Sequence, residues 1–181
     1  KNDKNKITVK IKNRFYTSKL LFDSRIENKE NLKNELLQHF FGIEVIFDKK
    51  VLKRNEVILM DIQNKKKLFN FIYILPFSEN RALIETTYFS KELISQNKYK
   101  EDLKRYIKKK FNGFNYKIKS SEFGIIPMFK YKTNNSLNHI KIGLAGNWVK
   151  QSTGYSLQNS FLYSRQIVDC ILKGKTPKIK E

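Results

Sequence analysis

The apolar residues of this chain are grouped in short segments that polar residues interrupt, and this pattern limits the folds open to it. Phe69 to Phe77 is among the longest of these segments. A membrane-spanning helix needs roughly 20 apolar residues in succession, and no segment approaches that length. Because 40% of the 181 residues are nevertheless hydrophobic, the sequence predicts a globular domain with a real core.

Most of the apolar segments have the length or the alternation of β-strands. Strands are predicted over residues 7–12, 19–22, 43–47, 57–62, 69–75, 81–89, 116–126 and 140–145. The first two should form a hairpin. The pair 69–75 and 81–89, joined by the turn residues Ser78 to Asn80, should be antiparallel neighbours. Residues 30–41 are expected to form a short helix or loop that Gly42 ends.

Two segments have helical periodicity. Tyr99 to Phe111 predicts a basic amphipathic helix, and Tyr155 to Leu172 predicts a long helix that Gly174 ends as a left-handed cap. Cys170 lies in the apolar pattern of the second helix, so we expect a buried structural thiol. As the single cysteine of the chain, it cannot form an internal disulfide.

The formal charge of +20 raises the question of nucleic-acid binding. However, only six of the 37 basic residues are arginine, and lysine is accompanied by many asparagines and isoleucines, as an A/T-rich coding sequence would produce. Nucleic-acid readers favour arginine for bidentate contacts. We therefore expect no specific nucleic-acid binding. A basic surface that settles on anionic lipid is at least as good an interpretation, with helix Tyr99 to Phe111 as the candidate surface.

Near the C-terminus, a strand is followed by Gly146, a polar loop and a long helix that opens after Ser152-Thr153-Gly154-Tyr155. Free backbone N–H groups at such a helix start favour a negatively charged group. An ordinary strand-to-helix turn with a Ser or Thr cap has the same pattern, and the local sequence does not separate the two interpretations.

Seven segments resemble, in chain order, those of flavin-dependent lycopene cyclases of the β-cyclase type. They are Leu21–Arg25, Gln38–Gly42, Leu59–Asp61, Phe71–Ser78, Arg81–Ser90, Glu122–Met128 and Ser152–Ser156. Each segment is a modest match alone, but their order is specific and they cover about residues 20–172.

The resemblance implies an α+β fold, made of a strand-rich substrate domain and the C-terminal strand and helix of a glutathione-reductase-like FAD-binding fold. Residues 1–37 would end the FAD-binding domain, residues 38–128 would form the substrate-binding sheet, and residues 129–181 would return to the FAD-binding domain. The family carries a G-x-G-x-x-G turn near its N-terminus, and this sequence has none. We therefore expect a C-terminal fragment that lacks the nucleotide-binding βαβ unit and is inactive alone.

The implied activity is the non-redox cyclisation of the ends of lycopene to ionone rings with reduced FAD, for which NAD(P)H is the reductant. Such a reaction needs an acid in an apolar pocket and negative charge near a carbocation. Because lycopene is confined to bilayers, a cytoplasmic protein with peripheral membrane contact is expected. The alternatives are a related flavoprotein oxidoreductase, of the geranylgeranyl reductase or hydroxylase type, and a basic nucleic-acid-binding domain.

Glu85 is the candidate catalytic residue. Apolar neighbours (Ala82, Leu83 and Ile84) should raise the pKa of its carboxyl and keep a proton available near neutral pH. A strand glutamate that faces water or pairs with Arg81 is the alternative interpretation. The family often has a second acid directly after this one, where the present chain has Thr86.

The resemblance also implies binding residues, which we name here as predictions. The cofactor set is Asp23, Arg25, Gly146, Ser152, Thr153, Gly154 and Tyr155; the substrate set is Phe40, Phe41, Phe71 and Tyr73. Aromatic faces suit both a polyene and a transient cation, although plain core packing explains each of these rings equally well. No metal site is expected, since His39 and His139 have no Cys/His cluster around them.

Overall fold

The computed structural model describes residues 6–26, 32, 34–63, 68–130 and 136–177. Within them the fold is mixed and strand-rich, with nine strands and two helices, which confirms the predicted α+β class. The chain divides into two compact units. One contains residues 1–32 together with 127–181, and the other contains residues 33–126. The expected divisions at 37/38 and 128/129 lie within five residues of these, while the roles expected for the domains stay predictions.

The elements follow in chain order. The strands are β1 (Ile7–Ile11), β2 (Arg14–Ser18), β3 (Leu21–Asp23), β4 (Leu37–Phe47), β5 (Ile58–Gln63), β6 (Phe69–Pro76), β7 (Arg81–Ser90), β8 (Tyr116–Pro127) and β9 (His139–Lys141), and the helices are α1 (Gln96–Lys110) and α2 (Leu157–Leu172). Helix α1 lies between β7 and β8, and α2 follows β9.

A five-stranded sheet of order β5-β6-β7-β4-β8 forms the body of the second unit. Strands β6 and β7 are antiparallel neighbours, as predicted, and β4 pairs with β7 over ten residues. Alternate residues of each strand face α1, because successive side chains point to opposite faces of a sheet. The core on this face is apolar and includes Val45, Ile74, Ile84, Leu103 and Ile107.

The prediction of a helix or loop that ends at Gly42 is wrong from Leu37 onward, although residues 34–36 are turn and loop as expected. Strand β4 begins at Leu37 and continues through Gly42 to Phe47. The leucines that gave a helical spacing are few, and the long ladder with β7 outweighs so weak a local preference. Residues 27–31 and 33 of this region lie outside the described residues.

The predicted hairpin pairs the wrong strands. β1 turns at Lys12, which has a φ of 53°, and pairs with β2 rather than with residues 19–22. The latter belong to β3, which pairs in parallel with β9. All five residues of β2 are exposed, so this strand has no buried face to produce an apolar alternation.

Both predicted helices are present. Ser95 caps α1 by accepting a hydrogen bond from the Lys98 N–H, and Gly174 has the expected left-handed φ, 65°, after α2. Cys170 is half-buried on α2, so the prediction of a buried thiol is wrong. In the described part of the chain, neither helix has the length and apolar character to cross a membrane.

Candidate functional site

Glu85 lies near the middle of the five-stranded sheet, on the face opposite α1. In the register of the sheet it is directly opposite Gly42 of β4 on one side and Tyr73 of β6 on the other. Its neighbours Ala82 and Ile84 belong to the core under α1 instead. Glu85 is half-buried, so this second face of the sheet carries an acid that is partly withdrawn from water.

Aromatic residues share this face of the sheet with Glu85. We call the aromatic face the set formed by Phe40, Phe69, Phe71, Tyr73 and Phe89. The Phe71 ring centroid is 5.0 Å from that of Tyr73, 5.8 Å from that of Phe69 and 6.1 Å from that of Phe89. Phe71 is only 1% exposed. These aromatic side chains give the surroundings of Glu85 a low polarity.

Phe40 reaches this face through a close approach to β8. A Cβ built on Gly124 would lie 2.2 Å from the Cζ of Phe40, so only glycine leaves room for the ring. Phe40 is opposite Thr87 in the register, two residues from the position of Glu85. Three of the four predicted substrate residues, Phe40, Phe71 and Tyr73, therefore share one face with the predicted acid.

Phe41 is separated from those three. It is opposite Thr86 in the register, and its ring lies 6.2 Å from that of Tyr99 on α1, against the core. Phe69 and Phe89, by contrast, belong to the aromatic face but were missed by sequence reasoning. The period of two residues along a strand was the signal that could have found them. Phe69 is two residues before Phe71 in β6, and Phe89 of β7 is directly opposite Phe69.

Burial raises the pKa of the Glu85 carboxyl to about 7, as the sequence predicted. The Thr87 hydroxyl donates a hydrogen bond of 2.9 Å to Glu85 Oε1, which lowers the pKa, and the nearby charge of Glu122 raises it. Arg81 donates instead to Glu44, so the alternative in which Glu85 pairs with Arg81 is wrong.

In the other unit, Asp23 is a buried carboxylate surrounded by basic groups. Arg25 donates from its backbone N–H, Nε and a terminal nitrogen at 2.8–3.1 Å, while Lys141 Nζ and His139 Nε2 both lie 3.2 Å from Asp23 Oδ2. These contacts hold the pKa of Asp23 far below its ordinary value, with the Arg25 hydrogen bonds as the largest cause. Two predicted cofactor residues, Asp23 and Arg25, thus bind each other.

The buried Lys141 in this cluster was missed by sequence reasoning. It lies directly opposite Asp23 in the parallel pair of β3 and β9. A lysine inside the apolar stretch that begins at Ile140 was the available signal, because a lysine is almost never fully buried unless it is paired.

Gly146 occupies a position that no other residue could fill. A Cβ there would lie 2.6 Å from the Lys141 carbonyl oxygen and 2.8 Å from Trp148 Nε1. The loop that follows is a turn centred on Lys150, whose carbonyl accepts from the N–H groups of Thr153 and Gly154. Those two N–H groups are therefore not free, contrary to the expectation for this loop.

The start of α2 itself is open. Among the described residues, the N-cap Ser156 makes no capping hydrogen bond with its side chain, and the first turn contains no acidic residue. Tyr155 is exposed beside it. N–H donors without an acidic neighbour fit the negatively charged or oxygen-rich part of a cofactor such as FAD. In the residues that the structure describes, no cluster of His, Cys, Asp and Glu could hold a metal ion.

Comparison with known proteins gives the family and the fold. A geranylgeranyl bacteriochlorophyll reductase-like protein from Thermoplasma acidophilum has a solved structure similar to this chain, with a TM-score of 0.61 at 13% sequence identity. The match covers 91% of this chain and 45% of that one, so this chain spans less than half the length of that structure. At this identity the likeness shows the fold alone.

No curated protein matches this chain significantly. A sequence model described as lycopene cyclase protein matches residues 2–178, nearly the whole chain. The seven segments that resemble this family all lie within the match. The chain therefore belongs to the lycopene cyclase family.

Proposed function

We propose that this chain is part of a lycopene cyclase, which closes the ends of lycopene into ionone rings with reduced FAD and no net redox change. The observation that carries the proposal is Glu85, an acid with a pKa of about 7 beside the aromatic face. Such an acid is protonated in a useful fraction of molecules at neutral pH and can donate its proton.

The proposed reaction conserves the composition of the substrate. Glu85 donates a proton to a terminal double bond, and the resulting carbocation is attacked by a second double bond of the same chain. A proton then leaves the ring and returns to the Glu85 carboxylate, which restores the acid. The rings of Phe40, Phe71 and Tyr73 would lie along the polyene and stabilise the transient cation through their π faces. A half-buried position limits water, which would otherwise capture the cation.

Residues of the first unit would hold FAD. The open N-terminus of α2, with Ser152 to Tyr155 before it, fits an electron-rich part of that cofactor. Asp23 and Arg25 belong to the same unit. When bound, the anionic reduced flavin supplies negative charge that stabilises a cation; NAD(P)H is the proposed reductant. We propose further that FAD binds in a glutathione-reductase-like fold, to which a nucleotide-binding βαβ unit outside the present sequence contributes.

A second candidate is a reductase, because the chain has a fold like that of a geranylgeranyl bacteriochlorophyll reductase-like protein. The mass of the product separates the two activities. A cyclase product has the mass of lycopene, whereas each reduction adds two hydrogens.

We also propose a cytoplasmic protein that contacts the membrane peripherally. Helix α1 packs its apolar side on the sheet and ends in Lys108, Lys109 and Lys110, which are exposed. The contact would therefore be electrostatic rather than insertive. Sedimentation with liposomes tests this: binding to anionic lipid that salt reverses is expected, and equal binding to neutral lipid would contradict it.

The full-length protein with Glu85→Gln tests the proposed activity. Replacing the acid by its amide should lower conversion of lycopene by about 10²–10⁴-fold, measured by chromatography in a lycopene-accumulating bacterium at matched protein levels. Flavin absorbance of the purified variant should be unchanged. Glu56→Gln, which removes the same charge from an exposed position between β4 and β5, is the control. Near-normal conversion by Glu85→Gln would remove Glu85 from the mechanism.

A further inference from the structure

A second acidic side chain shares the surroundings of Glu85. Glu122 lies on β8, the strand next to β4, and its side chain crosses over Gly42. Gly42 is in turn directly opposite Glu85 on β7. Three neighbouring strands thus place Glu122, Gly42 and Glu85 in one row, although 37 residues separate the two acids in the sequence.

The absence of a side chain at position 42 permits this approach. A Cβ on Gly42 would lie 3.1 Å from Glu122 Cγ, 3.2 Å from Glu122 Oε1 and 3.1 Å from Leu83 Cδ1. These contacts are tighter than ordinary packing, so a larger residue would displace the Glu122 side chain. The glycine in the centre of a long strand therefore has a steric reason.

The charges around this row leave the negative charge of Glu122 able to act on Glu85. Along the same face, Glu44 is neutralised by Arg81 and by Lys119, whose Nζ is 3.2 Å from Glu44 Oε1. Among the described residues, Glu122 has no salt-bridge partner. In a chain with 37 basic and only 17 acidic residues, two neighbouring acids that both lack a salt bridge to a described basic residue are an unusual arrangement.

The titratable and charged groups that face Glu85 can be named from each strand. Strand β6 contributes Tyr73 and β8 contributes Glu122. Strand β4 contributes Glu44, which lies on the same face two residues after Gly42. On β7 itself, Arg81 is committed to Glu44. Glu122 is therefore the negative charge in this set that has no salt bridge to a described basic residue.

We propose that Glu122 is the second carboxylate of this site and acts through Glu85. Held across Gly42, its charge opposes the ionisation of Glu85 and adds to the effect of burial in keeping that residue a proton donor. Glu122 is a positioning residue in this proposal, which rests on the proposed role of Glu85 as the acid. The second acid of the family pattern, absent at Thr86, is supplied here in space from another strand.

The test uses the full-length protein with ¹³C-labelled glutamate carboxyls and follows the titration of Glu85, which the spectrum of Glu85→Gln assigns. Glu122→Gln should lower the midpoint of the Glu85 titration by about 0.5–1 pH unit. The upper pH limit of lycopene cyclisation should move down by the same amount, with an unchanged plateau rate below it. Since Glu122 is exposed, added salt should lower the wild-type midpoint and leave that of Glu122→Gln in place.

Two further variants complete the test. Glu122→Asp keeps the charge and should restore most of the midpoint and its salt sensitivity. Glu101→Gln, remote on α1, should change neither. An unchanged Glu85 midpoint in Glu122→Gln overturns the inference, whatever the activity. A lowered midpoint together with full activity of Glu85→Gln would overturn the proposed function instead and leave the electrostatic coupling established.

Discussion

Asp23 and Glu85 are two carboxyl side chains withdrawn from water, and the protein shifts their pKa values in opposite directions. Asp23 is 4% exposed and contacts Arg25, His139 and Lys141, so its pKa lies far below the ordinary value. Glu85 accepts one hydrogen bond from a neutral hydroxyl and has another acid nearby, and burial raises its pKa to about 7. Burial alone does not decide the direction. At Asp23 the basic groups, Arg25 first, outweigh the effect of burial, whereas at Glu85 no basic group does so and burial is the largest cause.

The difference separates their possible roles. Asp23 stays a carboxylate over the whole physiological pH range, so it can hold basic side chains in place but cannot donate a proton. Glu85 exists in both protonation states near neutral pH, which is what proton transfer requires. Comparing variants of the two acids therefore tests whether Asp23 has a structural role and Glu85 a chemical one.

The largest expected effect is on stability at the first acid. Asp23→Asn removes the carboxylate that lies 3.2 Å from the Nζ of the buried Lys141, and breaking a buried ion pair from one side costs about 3–5 kcal/mol. Urea denaturation of the full-length protein at pH 7 measures the loss.

The matched control for this change is Asp169→Asn, which removes an exposed carboxylate from α2 in the same unit. We expect a change of at most about 0.5 kcal/mol there. If both variants lose the same stability, the contacts of Asp23 with its basic neighbours contribute nothing net.

The next effect is on the pH dependence of stability, where the two acids have opposite signs. The pKa of Glu85 is 4.5 ordinarily and about 7 in the fold, so its contribution is complete below pH 4.5 and lost as the pH rises through 7. Asp23 contributes above its ordinary pKa of 3.8 and loses this contribution as the pH falls. Relative to wild type, Glu85→Gln should gain roughly 2–3 kcal/mol between pH 4.5 and 8.

The comparison with wild type is needed because the titration of His39 also changes the stability of the protein in this pH range. Burial lowers the pKa of His39 to about 4, so this residue loses stabilisation as the pH falls from 6.5 and partly cancels the trend from Glu85. Urea midpoints of wild type and Glu85→Gln, measured side by side, remove that contribution. Parallel curves would show that Glu85 has an ordinary pKa in the folded protein.

The sequence predicted the parts of the fold that local pattern determines. Strands β6 and β7 have continuous apolar or alternating residues and a short turn between them, and their pairing followed. The pairing of β3 with β9 joins segments more than 110 residues apart, and no local pattern specifies such a contact. The exposed β2 lacked a hydrophobic signal altogether.

The candidate site, like the fold, was predicted only in part. Glu85 could be named because Arg81–Ser90 resembles the catalytic segment of the family, and its raised pKa was expected from its apolar neighbours. The proximity of Glu122 to Glu85 and of Lys141 to Asp23 could not be predicted, because each pair joins strands that are distant in sequence. Phe40 and Phe41 are adjacent and face opposite sides because β4 is a strand, which the local sequence did not predict at these positions.

The smallest expected effect distinguishes the two faces at adjacent threonines, both fully buried. Thr87 donates to Glu85 Oε1 at 2.9 Å, while Thr86 accepts from Asn70 Nδ2 at 2.9 Å. Valine has the shape of threonine without the hydroxyl, so each change to valine should cost about 1 kcal/mol of stability through one lost hydrogen bond. Only Thr87→Val removes a hydrogen bond that favours the ionised form of Glu85. The upper pH limit for cyclisation by Thr87→Val should therefore rise by about 0.5 unit, opposite to the change expected for Glu122→Gln. Thr86→Val should leave this limit unchanged. Equal pH profiles for the two valine variants, at equal losses of stability, would show that the Thr87 hydroxyl does not reach the acid in solution.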